Sequence, residues 1–318
     1  MSHIRTSLLT AAAAVAALAS ATPAHAAPTT LSVEQAPTRV AAHDGVVMWS
    51  RFDAVVKTYS LVKSVDGGAP SAVAVAPRAE GPFDIDLGTN RSGAIYAVYT
   101  RDDGDIYRLN PTTGSEVKIT KLSSATLDER DPTIMRGEIA FIRRDRGYDQ
   151  LRIGNTASAS TGSRLIVKQR SIISAELGIS HVAYVESVPA GFREVQVHNR
   201  NIRTGADRMI YRARSGGANA ADVTRPTFIA SPQAFLWART NTGSGTGNRL
   251  VRYTLTGSKL AYAQGSPFFN STAWAGAALG AATASSLDNG ETQGACTDAN
   301  TNYCQVQLTG PLQFNLKP

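Results

Sequence analysis

The chain has 318 residues, of which 18% are charged, 42% hydrophobic and only 7% aromatic, with two cysteines and a formal net charge of +7. That composition excludes a disordered tail protein, a collagen-like fibre, a disulfide-dense miniprotein and a polytopic membrane protein. Abundant Gly, Ala, Ser and Thr beside sparse Lys and Glu suit many short strands joined by turns, in one large all-β domain or two ordinary ones.

The first element in chain order reads as a leader. Arg5 supplies a positive start, Leu8 to Ala19 is an almost unbroken apolar run, and Ala24-His25-Ala26 has the small-residue pattern of a cleavage site. The run is shorter than the ~20 residues of a spanning helix. Residues 1–26 are therefore expected to be a cleaved signal peptide, with a retained anchor as the competing reading. Residues 27–318 are expected to be one domain, secreted or periplasmic. The mature part keeps 31 basic and 25 acidic side chains, a net charge of +6. The arginines are scattered singly, so nucleic acid is not an expected partner. No later run approaches ~18 apolar residues, so membrane insertion is not expected either.

Beyond the leader the chain repeats. An apolar strand with an aromatic near its end recurs as GVVMWSR, YAVYTR, IAFIRR, VAYVES and AFLWAR, with Trp49, Tyr99, Phe141, Tyr184 and Trp237 in equivalent places, spaced by 50, 42, 43 and 53. Such short, nearly continuous apolar runs suit strands buried on both faces. A second, alternating strand follows each, then a turn such as Asn110 to Gly114, then a third strand. The segment before each anchor strand repeats too: Pro-Thr begins at Pro37, Pro132 and Pro226, while Asp86-Leu-Gly and Glu176-Leu-Gly lie between, hinting at a doubled unit. Four strands per unit of 40–50 residues are the mark of a propeller blade. The expected fold is all-β, a six-bladed β-propeller of four-stranded antiparallel blades at 36–79, 80–125, 126–168, 169–219, 220–264 and 265–318. A strand near Leu312–Leu316 would complete the sixth blade, with Thr29–Val33 on its edge. The Ala- and Gly-rich start of that blade leaves room for a helix. A pair of β-sandwiches is the competing fold.

Tracts such as DERDPTIMRGEIAFIRR and DVTRPTFIASPQAFLWAR resemble the WD40-like repeat of TolB-like propellers, whose first two strands read roughly P-x-W-S-P-D-G-x-x-I-A-F. The characteristic turn is degraded to Met135-Arg136-Gly137 or Ser231-Pro232, and the mature chain has no room for TolB's extra α/β domain. The resemblance is to secreted bacterial members of that superfamily, and it implies partner binding.

Residues able to do chemistry are few. Beyond residue 26 only His43, His181 and His198 remain, in no metal-binding spacing. Ser60 and Lys63 match S-x-x-K formally but sit within a strand, and Gly243 to Gly247 lies between two strands with no helix to follow. Asp102, Asp103 and Asp105, or Asp84, Asp86 and Asn90, read as turn acids before they read as calcium ligands. Cys296 and Cys304 are expected to form a structural disulfide across a short loop. No catalytic set, metal or cofactor is expected.

One polar series recurs. Arg51, Arg101, Arg143, Glu186 and Arg239 each stand two residues beyond the anchor aromatic, on the same face of the sheet. The loops entering the inner strands carry Asp84, Asp86, Asp128, Asp131, Glu176 and Asp222. The series reads either as Arg–carboxylate pairs between neighbouring blades or as a rim receiving an anionic ligand. The expected function is a non-enzymatic binding scaffold, a monomer presenting a loop face to a protein or anionic polymer of the envelope or medium. The alternative is an extracellular lyase or hydrolase acting on an anionic substrate over the channel. His43 or His181 clustered with two carboxylates in the channel mouth would favour the enzyme.

Overall fold

Alternating apolar and polar residues separated by tight turns leave the chain one economical way to satisfy its backbone, which is to pair each strand with the next as antiparallel hairpins. The structure, a computed structural model, describes residues 29–34, 38–79, 81–156, 162–190, 192–214, 221–223, 225–229, 234–241, 249–257, 259–264, 268–274, 283–288, 305–309 and 315–316. The chain opens with β1 (Thr29–Val33). Four blades then follow in chain order. The first holds β2 (Val40–His43), β3 (Val46–Asp53), β4 (Thr58–Val65) and β5 (Ser71–Ala72); the second holds β6 (Asp86–Thr89), β7 (Ile95–Thr100), β8 (Ile106–Leu109) and β9 (Glu116–Lys118). The third is β10 (Glu129–Met135), β11 (Glu138–Asp145), β12 (Tyr148–Asn155) and β13 (Arg164–Gln169); the fourth is β14 (Ile172–Leu177), β15 (His181–Ala190), β16 (Phe192–Asn201) and β17 (Asp207–Arg214).

The expectation of six four-stranded blades is corrected by the remaining strands. Among the described residues four blades are built that way. The rest of the chain supplies β18 (Ala221–Val223), β19 (Thr227–Ile229), β20 (Ala234–Asn241), β21 (Arg249–Thr254), β22 (Lys259–Gln264), β23 (Phe268–Trp274), β24 (Thr283–Asp288), β25 (Gln305–Thr309) and β26 (Asn315–Leu316). One sheet has six strands, β18-β20-β21-β22-β26 with β19 also on β20. Its inner strand is split at Arg225-Pro226, where the chain turns inward and proline offers no N–H to the ladder. The strand expected to complete the last blade, β26, pairs instead with β22. The last sheet is assembled from both ends of the chain, in the order β1-β25-β24-β23, with Thr29 opposite Leu308. The Ala-rich segment where a helix was possible contributes the strands β23 and β24.

Sheets pack face to face around an axis lined by β2, β6, β10, β14, β19 and β23, the last of which touches both β19 and β2. Trp49, Tyr99 and Phe141 are fully buried and Tyr184 nearly so, each between sheets; the side chain of Trp237 lies outside the described residues. Phe83 from the second blade's entry loop meets Tyr99 edge-on at 5.2 Å in a cluster with Ala41, Met48 and Leu61 of the first blade. Leu31, Val306 and Leu308 of the last sheet pack on Val47 and Trp49. This radial arrangement excludes the pair of sandwiches.

The Leu-Gly pairs mark where inner strands come closest. A Cβ at Gly88 would overlap the carbonyl oxygen of Ile134 on β10, and one at Gly178 would meet the Phe228 ring at 3.0 Å. Replacing Gly88 by Ala should therefore destabilise the protein by about 3 kcal/mol, since backbone cannot yield as a side chain can. Gly93, at φ 87° with open space around it, is the control. Its alanine variant should lose about 1 kcal/mol from backbone strain alone, and urea titration of the two variants separates these outcomes.

Candidate functional site

The recurrent series beyond the anchor aromatics folds into a repeated three-part contact. Trp49 Nε1 donates to Glu34 at 2.6 Å, and the same carboxylate pairs with Arg51 at 3.2 Å. Tyr99 donates its hydroxyl to Glu116 at 2.5 Å, and Arg101 pairs with Glu116 at 3.4 Å. In the third blade the aromatic is Phe141, with no polar handle. There the Arg143 guanidinium lies 5.3 Å from the ring centroid and pairs with Glu129 at 2.7 Å. The pairing is cross-strand, because Glu129 and Arg143 stand opposite each other in the ladder. In the fourth blade the polarity is reversed. Tyr184 donates to Asp207 at 2.7 Å, and His198 stacks on Tyr184 between Asp207 at 3.3 Å and Glu186 at 3.6 Å. The Arg239 side chain lies outside the described residues. Arg51, Arg101 and Arg143 thus meet acids of their own repeat or the segment leading into it.

The entry-loop acids are used elsewhere, to tie one inner strand to the next. Asp84 accepts from Thr100 N and Oγ1 in its own blade, both at 2.8 Å, and from Asp131 N at 2.6 Å. Asp86 accepts from Thr133 Oγ1 and Ile134 N, both at 2.8 Å. Asp131 accepts from Ala175 N at 2.7 Å, and Thr133 Oγ1 from Leu177 N at 3.0 Å. At Asp131 the backbone enters the left-handed region, φ 52°, and the ladder shifts register around Pro132.

Arg225 closes the middle. Its guanidinium donates to the carbonyls of Ala175 at 2.9 Å, Ile85 at 3.2 Å and Pro132 at 3.1 Å, one from each of three blades. Glu176 lies 3.0 Å from its Nε, Asp131 is 4.0 Å away, and Arg39 pairs with Asp131 from the other side. Burial opposes the charge on Asp131, but Arg225 and Arg39 outweigh it and hold this carboxyl below its usual range. Glu176 is pushed well above the usual range by burial and by Asp86, with Arg225 opposing.

The inner strands run between two different mouths. On the entry side a cavity of about 600 Å³ is lined by Arg39, Arg78, Asp84, Asp102, Asp128 and Asp131, with Arg101, Glu129 and Arg130 also facing it. At the opposite end, a cavity of about 250 Å³ is lined chiefly by Leu87, Met135, Ile179, Phe228 and Leu255, with His43, His181, Glu176 and Arg136 as its ionisable groups. Both histidines and one carboxylate therefore share a mouth. His181 is engaged, with Ser180 Oγ 2.9 Å from Nδ1 and Asn201 Nδ2 3.3 Å from Nε2. The imidazole of His43 makes no hydrogen bond among the described residues, while its backbone stands opposite Val46 in the ladder.

The other motifs resolve simply. Asp102 pairs with Arg78 at 2.9 Å, and Asp103 and Asp105 both meet Lys118. Lys63, far from acting on Ser60, donates to the carbonyl of Pro111. Among the described residues no group of three or more His, Cys, Asp or Glu is placed to hold a metal ion, and no helix is long and apolar enough to cross a membrane. Cys296, Cys304, Asp222's side chain, Gly243 to Gly247 and the leader 1–26 lie outside the described residues.

No family model matches the sequence, and no curated protein does. Similar solved structures include a luciferin-regenerating enzyme (TM-score 0.57, 11% identity, 90% of this chain and 95% of that one) and the SapL1 lectin in complex with alpha methyl fucoside (0.52, 10%, 82% and 90%). TolB from Acinetobacter baumannii matches with TM-score 0.48 and 13% identity, over 70% of this chain and 53% of that one. The chain thus spans about half the length of that TolB. These are likenesses of fold, and the propeller implied by the TolB-like repeat is the fold found.

Two outcomes are expected. Arg143 is 15% exposed over a carboxylate with no exposure, whereas Arg51 is 43% exposed. Arg143→Ala should cost about 2–3 kcal/mol and Arg51→Ala about 0.5 kcal/mol, read from paired thermal melts. Glu176 binds its proton more tightly folded than unfolded, so its contribution falls as pH rises from 4.5 through the folded value. In Glu176→Gln that loss is absent. The variant's melting temperature relative to wild type should rise between pH 4.5 and pH 8, and a constant difference would mean that Glu176 titrates as if in water.

Proposed function

We propose that this protein is an exported binding propeller, with residues 1–26 removed on export, that presents its entry face to a protein partner. The observation that supports the reading most is the state of the 600 Å³ bowl on that face. Its side chains come from four blades and are held before any partner arrives: Arg78 by Asp102 and the Pro82 carbonyl, Arg130 by Asp149 and the Ile172 carbonyl, Arg39 by Asp131. Groups already fixed lose little freedom on association, which favours a broad, specific contact.

The charge of the bowl selects among the partners. Arg39, Arg78, Arg101 and Arg130 face Asp84, Asp102, Asp128, Glu129 and Asp131. Four cations beside five anions make a mixed surface suited to a protein and poorly suited to an anionic polymer. The series of Arg51, Arg101, Arg143, Glu186 and Arg239 then serves the frame of this face, and an anion-receiving rim is the lesser reading. The fold itself is neutral, since an enzyme and a sugar-bound lectin share it with this chain.

The test uses mature protein as bait on envelope and culture fractions, beside an Asp128→Arg variant. Asp128 is exposed in the bowl, so the variant should melt like wild type. A defined protein retained by wild type and lost by the variant is the expected result. Retention of only acidic polysaccharide, or capture indifferent to the variant, would end this reading.

A further inference from the structure

The second cavity, at the far end of the channel from the bowl, has a different chemistry. Its walls are Leu87, Met135, Ile179, Phe228 and Leu255, gathered from the second, third, fourth and six-stranded sheets. Its volume, about 250 Å³, is that of about eight waters. Apolar walls of this kind are poor hosts for water and good ones for a small hydrocarbon body.

Two acceptors interrupt those walls. Glu176 is bound to its neighbours through Oε2, which lies 3.0 Å from Arg225 and 3.4 Å from Thr133. Oε1 makes no hydrogen bond among the described residues. The imidazole of His43 is likewise unbonded there. Burial lowers its pKa, against the pull of Asp86 and Asp44, so a ring nitrogen is available to accept. Behind them Asp86 and Asp131 bear on Glu176, with Arg225 opposing. Arg136 also lines the cavity, but it is exposed at the mouth, where solvent screens it.

We propose that this cavity is a binding site for a small apolar ammonium compound, an aryl- or alkylammonium, with its charged head between Glu176 and His43 and its body against Leu87, Met135 and Phe228. The head offsets the burial and the Asp86 charge that hold the Glu176 proton, leaving a carboxylate to pair with it, and the body displaces water from walls that hold it weakly. The site is separate from the bowl, so it stands or falls apart from the partner reading above.

The experiment is calorimetric titration of the mature protein with 2-phenylethylammonium chloride, beside 2-phenylethanol and phenylacetate as neutral and anionic analogues of similar size. The ammonium should bind once per chain, about tenfold or more tighter than either analogue. His43→Leu, at a partly buried position away from the ion pairs, should weaken it about fivefold. Ile179→Trp, which places a ring across the mouth, should abolish it. Glu176→Gln should also abolish binding; if that variant fails to fold, the other two still decide. Absence of saturable binding, equal binding of the three compounds, or unchanged affinity in both His43→Leu and Ile179→Trp would overturn the proposal.

Discussion

A guanidinium withdrawn from water must find acceptors for five N–H bonds and an opposing charge, or the fold that buries it fails. Arg225 meets that demand at the centre of the ring, where the carbonyls of Ile85, Pro132 and Ala175 converge on one cation with Glu176 beside it. Each carbonyl belongs to a different blade, so satisfying one side chain fixes three inner strands relative to one another. The residue at the break between β18 and β19, which both stay paired with β20, is the one that holds the other inner strands in register.

Around that centre, side chains do the work that ladder hydrogen bonds do within a sheet. Inner strands of neighbouring blades are too splayed to pair along their length. Asp84, Asp86, Asp131 and Thr133 bridge them by accepting backbone N–H groups from the next strand. These acceptors are short, and short side chains lose little entropy when fixed. The outer contacts follow a second rule, in which the polar edge of an anchor aromatic is given to a carboxylate and the carboxylate to a cation. Where the cation of the series becomes Glu186, the imidazole of His198, on the neighbouring strand, lies between Glu186 and Asp207. The rule survives a reversal of sign.

Much of this was legible in the residues. Anchor strands, their hairpins and the cation two places beyond each aromatic follow from a period-2 pattern repeated along the chain, and those are local properties. The partners of Arg51, Arg101 and Arg143 were not legible, because choosing Glu34, Glu116 and Glu129 over Asp84 or Asp131 requires strand register, which depends on packing between distant segments. The count of equal blades failed for a related reason: β26 satisfies the periodic pattern, but which sheet edge it joins is set by where the end of the chain arrives. Arg225 left one signal that could have been read. It precedes the third Pro-Thr where Asp131 precedes the second, 94 residues earlier, and opposite charges at equivalent positions of a ring point at each other across its axis.

The pairing of Thr29 with Leu308 places the first described strand in the same sheet as one of the last. A chain made from its N-terminus must therefore carry β1 unpaired through almost the whole of synthesis, with Leu31 lacking the Val306 and Leu308 it packs with in the finished ring. Contacts of such sequence separation form late. Until then, the waiting strand is an edge on which another chain can add, and the apolar face of the first blade that it helps to cover stays open. The seam that joins the two ends of the chain is thus also a late contact and the ring's point of greatest exposure to misassembly.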